Sequence, residues 1–223
     1  MPSTFRVAVL LSGNGSNLQA LIHKQKHFNY QIAGVISNCV GAFGLVRAEK
    51  AGIDHYTLPH KNYTDRKIFD SELIKIIDNL QVDLVVMAGF MRILTADFTR
   101  YYQGKLINIH PSLLPAYRGL NTHRRVLEAG EKQHGASVHF ATEELDAGAI
   151  IARVSVQISP ADNELSLKQK VQQMEHLLYP LIIKWFAENR IQQKNNVVWL
   201  DNKPLPSLGY QYTHQQLINQ AKG

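Results

Sequence analysis

Short apolar runs alternate with helical patterns along the first half of the chain. Phe5 to Leu11 is an apolar run of strand length, and residues 18–22 follow it with apolar side chains at helical spacing. The same order returns in a strand over 32–37, a helix over 42–51 and a short strand over 56–58. This alternation predicts a mostly parallel sheet with helices on both faces.

The next segments extend this pattern. A helix is predicted over 65–80, with an apolar stripe formed by Ile68, Phe69, Leu73, Ile76, Ile77 and Leu80. Asp83 to Ala88 is continuously apolar after its first residue, which is typical of a strand buried on both faces. Leu106 to Ile109 has the same character, so two further strands are expected in the sheet.

The second half of the chain has a different pattern. Two predicted strands, 137–140 and 149–158, are joined by an acidic loop without a helix, so an antiparallel addition to the sheet is expected. A long helix over 163–189 follows, with apolar residues that need a core to cover them: Leu165, Val171, Met174, Leu177, Leu178, Leu181 and Ile182. Residues 197–202 predict a small hairpin, and a loose tail is expected after it.

These patterns predict an α/β, Rossmann-like fold, with a mostly parallel sheet, helices on both faces and an antiparallel carboxyl-terminal addition. The length of 223 residues and the 45% hydrophobic composition favour a single domain over residues 1–223. Its core is expected at about 5–190, and residues 191–223 are expected to form the hairpin and tail.

Composition limits the cellular setting. The longest apolar run, Leu84 to Ala88, is far shorter than the roughly 20 residues of a membrane-spanning helix. The first residues lack the apolar segment of a secretory signal. The single cysteine, Cys39, fits a reducing compartment. A cytoplasmic protein with no membrane partner is therefore expected.

Charge and metal-ligand spacing limit the partners. A formal net charge of +6 favours an anionic ligand, but the basic residues are scattered, so no nucleic-acid partner is expected. Neither Cys39 nor the histidines show the clustering or spacing of metal ligands, so no metal is expected. The oligomeric state stays open between a monomer and a homodimer.

A polar stretch, residues 12–17 (Ser-Gly-Asn-Gly-Ser-Asn), lies between the first predicted strand and helix. Free N–H groups and the positive end of a helix make such a loop a candidate phosphate site. It is not the dinucleotide fingerprint, because Leu18 stands at the third glycine position. A tight turn with Ser16 as the helix cap is the alternative, and the glycine pair alone does not separate the two.

Asn108 and His110 stand two residues apart at the end of a predicted strand, so their side chains share a face while Ile109 faces the core. Ligands of open parallel sheets bind at the carboxyl ends of the strands, so Asn108 and His110 are candidate catalytic residues, with a structural role as the alternative. Asp146 is a candidate third member, because a carboxylate near a histidine fixes its tautomer and favours its charged form, with a turn residue as the more common alternative. Most remaining histidines are expected to be hydrogen-bonded or exposed, including His123, His134, His139 and His176.

Four motifs follow one another along the chain: residues 12–17, residues 88–94 (Ala-Gly-Phe-Met-Arg-Ile-Leu), residues 108–115 (Asn-Ile-His-Pro-Ser-Leu-Leu-Pro) and residues 144–148 (Glu-Leu-Asp-Ala-Gly). Together they strongly resemble the phosphoribosylglycinamide formyltransferase family, which are folate-dependent enzymes of purine synthesis. The resemblance extends from Val7 to about Leu205. It implies transfer of the formyl group of 10-formyltetrahydrofolate to the amine of glycinamide ribonucleotide.

The resemblance also implies a role for each matching residue. The catalytic residues would be Asn108, His110 and Asp146. The substrate's phosphate would bind at the first motif, on Gly15, Ser16 and Asn17. Its ribose and glycinamide end would meet a group on the long helix, formed by Gln172, Gln173, Met174 and Glu175. The folate site would comprise Arg66, Met91, Arg92, Ile93, Leu94, Asn108, Thr142, Glu143, Glu144, Leu145 and Asp146.

The sequence departs from the family pattern at Ala116, Arg118 and Ala149, where Lys, Pro and Pro are common. Arg118 followed by Gly119 is closer to the methionyl-tRNA formyltransferases. That activity and hydrolysis of formyl-folate are alternatives on the same core. They are not expected here, because the resemblance gives those enzymes an additional domain that a chain of 223 residues is not expected to accommodate. A non-catalytic nucleotide-binding module is a further alternative, and it would use only the glycine-containing loop.

Overall fold

The computed structural model describes residues 4–221. These residues divide into two compact units, with the boundary between Asn108 and Ile109. The first unit alternates strands and helices: β1 Phe5–Leu11, α1 Ser16–Lys24, β2 Tyr30–Ser37, α2 Phe43–Lys50, β3 His55–Thr57, a 3₁₀ turn at His60–Asn62, α3 Arg66–Asn79, β4 Leu84–Met87 and α4 Ala96–Tyr101. The strand β5, Leu106–His110, crosses the boundary.

The strands of the first unit pair in the order β3-β2-β1-β4-β5, and all of these pairs are parallel. Since crossovers between parallel strands are right-handed, this order puts α1 and α2 on one face of the sheet and α3 and α4 on the other. The observed contacts of α1 with α2 and of α3 with α4 agree with that arrangement. The predicted α/β class with helices on both faces is confirmed.

The core of this unit lies along the central strands. Residues 7–11 of β1 are fully buried, as expected for a strand covered on both faces. The predicted stripe of α3 is wrong at Ile68, whose side chain is 55% exposed. Ile68 lies one and two turns before Glu72 and Lys75, which pair with each other on the solvent side of the helix.

The second unit contains α5 Thr122–Glu128, β6 Gln133–Phe140, β7 Ile150–Gln157, α6 Glu164–Ala187, β8 Ile191–Lys194, β9 Val197–Leu200, β10 Lys203–Pro204, β11 Tyr210–Tyr212 and α7 His214–Ala221. The strands β6 and β7 are antiparallel, which confirms the predicted change of pattern. The strands β8, β9 and β10 form a separate antiparallel sheet that contains the predicted hairpin.

Two expectations for this unit are wrong. Leu165 is 65% exposed, because it lies on the same side of α6 as the exposed Lys168 and Gln169. The segment after the hairpin is not a loose tail, since β11 pairs in parallel with β7 and α7 follows it. Gly209 permits this pairing, because it has a φ of +68° and a Cβ there would lie 2.6 Å from the Ile150 carbonyl oxygen.

Among residues 4–221, no helix is both long enough and apolar enough to cross a membrane.

Candidate active site

The glycine loop, residues 12–15, connects β1 to α1 in the first unit. Gly15 is the residue before the helix, with a φ of +73°, and a Cβ there would lie 2.6 Å from the Cα of Gly44. The Gly44 N–H donates to the Gly13 carbonyl at 3.0 Å. Only glycine allows this approach of two backbones, and Gly15 has no side chain with which to cap α1. The expected cap at Ser16 is wrong, because Ser16 is already the first helical residue and Gly15 precedes it, whereas the tight turn is present.

Arg47 on α2 holds the glycine loop in place. Its Nε donates to the Asn14 carbonyl at 2.9 Å, and Nη2 donates to Asn14 Oδ1 at 3.0 Å. The remaining nitrogen, Nη1, donates to Gln19 Oε1 on α1 at 3.0 Å. One guanidinium thus fixes both the loop and the first turns of the helix that would receive an anion.

Ser12 ties together the ends of three strands. Its N–H donates to the Gly89 carbonyl at 3.0 Å, and its Oγ accepts from the Met91 N–H at 2.7 Å. The same hydroxyl donates to Asn38 Oδ1, just after β2, at 2.5 Å. The strand order of the sheet reverses between β1 and β4, which is where open α/β sheets bind ligands.

The segment 91–94 after β4 is fixed at both ends. Met91 is held by Ser12, and beyond Leu94 the Thr95 N–H and hydroxyl donate to Asp70 Oδ2 at 2.7 and 2.6 Å. The Arg92 guanidinium stacks over the Phe69 ring at 4.2 Å. Met91 and Ile93 are exposed and Leu94 is buried, so the segment presents two apolar side chains at the surface.

Arg66 is the exposed first residue of α3. Asn108 lies on β5 opposite Met87 of β4 and is half-buried. Ile109 is buried, as predicted, and His110 is the last residue of the strand.

His110 and Asp146 form a buried ion pair in the second unit, with the two side chains only 8% and 7% exposed. His110 Nδ1 lies 3.4 Å from Asp146 Oδ2, and Nε2 donates to the Tyr117 carbonyl at 3.0 Å. Both ring nitrogens thus face oxygen atoms, an arrangement that suits an imidazolium with two N–H donors. The Gly119 N–H donates to Asp146 Oδ2 at 2.9 Å, which fixes the carboxylate.

A second histidine, His139 on β6, faces the same carboxylate. Its Nε2 lies 3.7 Å from Asp146 Oδ1, and its Nδ1 donates to the Phe140 carbonyl at 2.9 Å. Burial lowers the pKa of His139, so this ring stays neutral beside the ion pair. We refer to His110, Asp146 and His139 together as the His110 centre.

Residues 5–183 match the family described as formyl transferase. The chain belongs to the formyl transferase family. It is 48% identical to "Phosphoribosylglycinamide formyltransferase" of Escherichia coli (strain K12) over 206 residues, covering 92% of this chain and 97% of that one. It is 42% identical to "Trifunctional purine biosynthetic protein adenosine-3" of Homo sapiens over 199 residues, 87% of this chain and 20% of that one.

A solved structure agrees with these similarities. The phosphoribosylglycinamide formyltransferase of Coxiella burnetii, in complex with CHES, is similar to this formyl transferase family member with a TM-score of 0.92. The two are 47% identical, and the match covers 94% of this chain and 100% of that chain.

The predicted group on α6 divides by burial in this family member. Met174 and Glu175 are buried, Gln172 is half-buried and Gln173 is exposed. Glu175 is 7% exposed, so it is not a solvated helix charge. Burial and then the Glu175 charge raise the pKa of Tyr179, one turn later, well above its usual value.

The supporting residues that the sequence did not reveal contact groups far from them in the sequence. Arg47, Asp70 and His139 touch groups that are far along the chain, so no local pattern identifies them. One signal was available for His139, which lies at the carboxyl end of a predicted strand. Within residues 4–221, no group of three or more His, Cys, Asp or Glu side chains is placed to hold a metal ion.

Proposed function

We propose that this protein transfers the formyl group of 10-formyltetrahydrofolate to the amine of glycinamide ribonucleotide, giving formylglycinamide ribonucleotide in de novo purine biosynthesis. Similarity over nearly the full length to proteins named for this reaction supports the proposal. The observation that carries it is the buried pair of His110 and Asp146, because a charged imidazole held by a carboxylate is suited to acyl transfer.

The reaction needs stabilisation of an oxyanion. The neutral amine of the substrate attacks the formyl carbon, and the carbonyl electrons move to oxygen in a tetrahedral intermediate. We assign the donors for this oxygen to the Asn108 amide and the His110 imidazolium. Collapse of the intermediate breaks the bond to the folate nitrogen and leaves the formyl group on the amine.

One proton must pass from the attacking amine to the departing folate nitrogen. Asp146 is the proposed carrier, acting directly or through water, and it also keeps His110 charged. Its contacts fit both tasks, since one carboxylate oxygen faces His110 and the Gly119 N–H, while the other faces His139. The reaction as proposed needs no metal and forms no covalent intermediate with the protein.

Substrate binding is assigned to two groups. The phosphate is proposed to bind at Gly15, Ser16 and Asn17, because the positive amino end of α1 attracts anions and Arg47 fixes the loop. The ribose and amine-bearing end is proposed to bind on α6, at Gln172, Gln173, Met174 and above all the buried Glu175.

Folate binding is assigned to the segment after β4 and to the loop between β6 and β7. Proposed contacts are Arg66, Met91, Arg92, Ile93, Leu94 and Asn108 in the first unit, and Thr142, Glu143, Glu144, Leu145 and Asp146 in the second. Arg66 is exposed at the start of α3 and suits a carboxylate of the co-substrate.

We further propose a cytoplasmic enzyme, monomeric or homodimeric, with residues 1–223 as one formyltransferase domain. The family match supports one domain, because it extends from residue 5 to residue 183 across the boundary between the two units. Limited proteolysis that releases two separately folded fragments would contradict this assignment.

The direct test is turnover of 10-formyltetrahydrofolate with glycinamide ribonucleotide, with no acceptor, and with methionyl-tRNA. We expect turnover only with glycinamide ribonucleotide. Turnover without an acceptor would indicate a hydrolase, and turnover with the tRNA would indicate the other transferase. Binding of nucleotide without any turnover would indicate a non-catalytic module.

A further inference from the structure

Two loops of the second unit contact each other at successive residues. The β5–α5 loop spans residues 111–121, and the β6–β7 loop spans residues 141–149. Arg118 Nη1 lies 2.6 Å from Glu144 Oε1, and the Gly119 N–H donates to Asp146 Oδ2 at 2.9 Å. The loops are thus joined by one ion pair between side chains and one hydrogen bond from the backbone.

Arg118 is the better anchored partner of the ion pair. Arg125 on α5 donates from Nη1 to the Arg118 carbonyl at 2.7 Å, which ties this backbone to the helix. Tyr117 and Gly119 on either side have φ angles of +55° and +79°, so the backbone is sharply turned there. The neighbouring Tyr117 hydroxyl donates to Glu131 Oε1 at 2.7 Å, which adds a second attachment.

Glu144 belongs to the less supported loop. The side chains from Thr142 to Leu145 are all exposed. Within the loop, the Thr142 hydroxyl donates to the Glu144 carbonyl at 3.1 Å. The ion pair therefore restrains the β6–β7 loop, which also carries Asp146, relative to the anchored Arg118.

We propose that Arg118 is a positioning residue for formyl-folate, acting through Glu144 to hold the β6–β7 loop in its binding conformation before the co-substrate arrives. The inference rests on the proposed function, which assigns residues 142–146 to folate. Ordering a loop in advance removes part of the cost of binding.

The expected effect is modest and sensitive to salt. Arg118 and Glu144 have side chains that are 39% and 74% exposed, and exposed ion pairs contribute little in water. Arg118→Ala is expected to raise the KM for formyl-folate about two- to fivefold at low ionic strength. The kcat and the KM for glycinamide ribonucleotide should stay unchanged. At 1 M salt, where screening acts over about 3 Å, the difference from wild type should disappear.

A charge swap tests the pair directly in the full-length enzyme. Arg118→Glu and Glu144→Arg should each raise the KM for formyl-folate. The double variant restores the ion pair with the charges exchanged, so its KM should fall below that of Glu144→Arg alone. Arg124→Glu is the control, because Arg124 also forms an ion pair on the protein surface, with Glu128 on α5 at 2.8 Å, and makes no ion pair with the β6–β7 loop in the described residues.

Hydrogen exchange of the ligand-free protein separates this inference from the proposed function. Faster exchange at residues 142–147 in both single variants, reversed in the double variant, would support the positioning role. Unchanged exchange, or no rescue by the swap, would overturn it. Faster exchange with an unchanged KM for formyl-folate would also overturn it, because the ion pair would then order the loop without affecting folate binding. Wild-type protein without any formyl transfer would instead contradict the proposed function.

Discussion

The glycine loop and the His110 centre are built by different means. The glycine loop is shaped by backbone packing, with Gly15 against Gly44, and by hydrogen bonds from Arg47 and Ser12. The His110 centre consists of buried titratable side chains, whose charges are balanced by one another and by backbone groups. The first region should therefore respond most to added atoms, and the second to altered charge or pH.

The largest expected effect comes from neutralising the centre. Asp146→Asn keeps the shape of the side chain but removes the charge that faces both His110 and His139. We expect kcat to fall by roughly 10²–10⁴, the usual range for a lost acid–base group, with a small change in either KM. Steady-state kinetics measure this, and Asp97→Asn, an exposed partner of Arg100, is the control. A fall of less than tenfold would remove Asp146 from the proton path.

A variant of Glu175 tests whether a buried carboxylate on α6 also determines the binding of glycinamide ribonucleotide. Glu175→Gln should raise the KM for glycinamide ribonucleotide and leave the KM for formyl-folate nearly unchanged, because one substrate loses a hydrogen bond to a charged group. Such a bond contributes about 1.5–3 kcal/mol, so the expected rise is roughly 10- to 150-fold. Gln169→Ala, at an exposed position of the same helix, is the control. An equal rise in both KM values would indicate a structural role for Glu175.

The backbone-built region is tested by a pair of glycines. Gly15→Ala adds a Cβ that would lie 2.6 Å from the Gly44 Cα, at a residue with positive φ. We expect it to lower the free energy of unfolding by about 1–3 kcal/mol, measured by urea denaturation. Gly13→Ala is the matched control, since nothing lies within 4 Å of its added Cβ, and its cost should stay within about 0.5 kcal/mol. Equal costs would contradict the close packing of Gly15.

How well the sequence predicted an element depended on the length of that element and on its apolar pattern. Long elements with strong apolar patterns were predicted to within a few residues, as in α3, where 65–80 was expected and Arg66–Asn79 is observed. The helices α4 and α5 were missed, because they have 6 and 7 residues and depend on tertiary packing instead of periodicity. The strand β11 was missed because its three residues are placed by Gly209 and by pairing with β7.

For the candidate site, the rule that strand ends carry ligands was enough to single out His110. Asp146 was a candidate that the residues alone left open as a turn residue, and the family motif favoured it. The structure places its Oδ2 3.4 Å from His110 Nδ1. Supporting contacts could not be predicted in this way. Asp70 reaches Thr95 across 25 residues and Arg47 reaches Asn14 across 33, so these contacts depend on how the elements pack.

The smallest expected effect is an acid destabilisation from a second histidine pair. His123 Nδ1 on α5 and His134 Nε2 on β6 lie 3.0 Å apart, so one ring donates and the other accepts. Burial lowers the pKa of His134 from 6.5 to about 4, and burial also lowers the pKa of His123. Both rings are therefore neutral in the folded protein at pH 7.

The sign of the effect follows from the unfolded state. Between about pH 6.5 and pH 4 the unfolded chain binds a proton at His134 that the folded protein excludes, so stability falls as the pH falls through this window. Protonation of both rings would also remove the acceptor of their hydrogen bond. Because Arg125 on α5 donates to the Arg118 carbonyl, movement of α5 would loosen the β5–α5 loop.

His134→Gln should remove this part of the pH dependence. Urea denaturation from pH 7 to pH 4 is expected to show a loss in the free energy of unfolding that is roughly 1–2 kcal/mol smaller in the variant than in wild type. Carboxylates titrating in the same range affect both proteins equally and cancel in the difference. His27→Gln, at an exposed position in the first unit, should follow the wild-type curve. Parallel curves for wild type and His134→Gln would show that the buried histidine pair does not contribute to acid sensitivity.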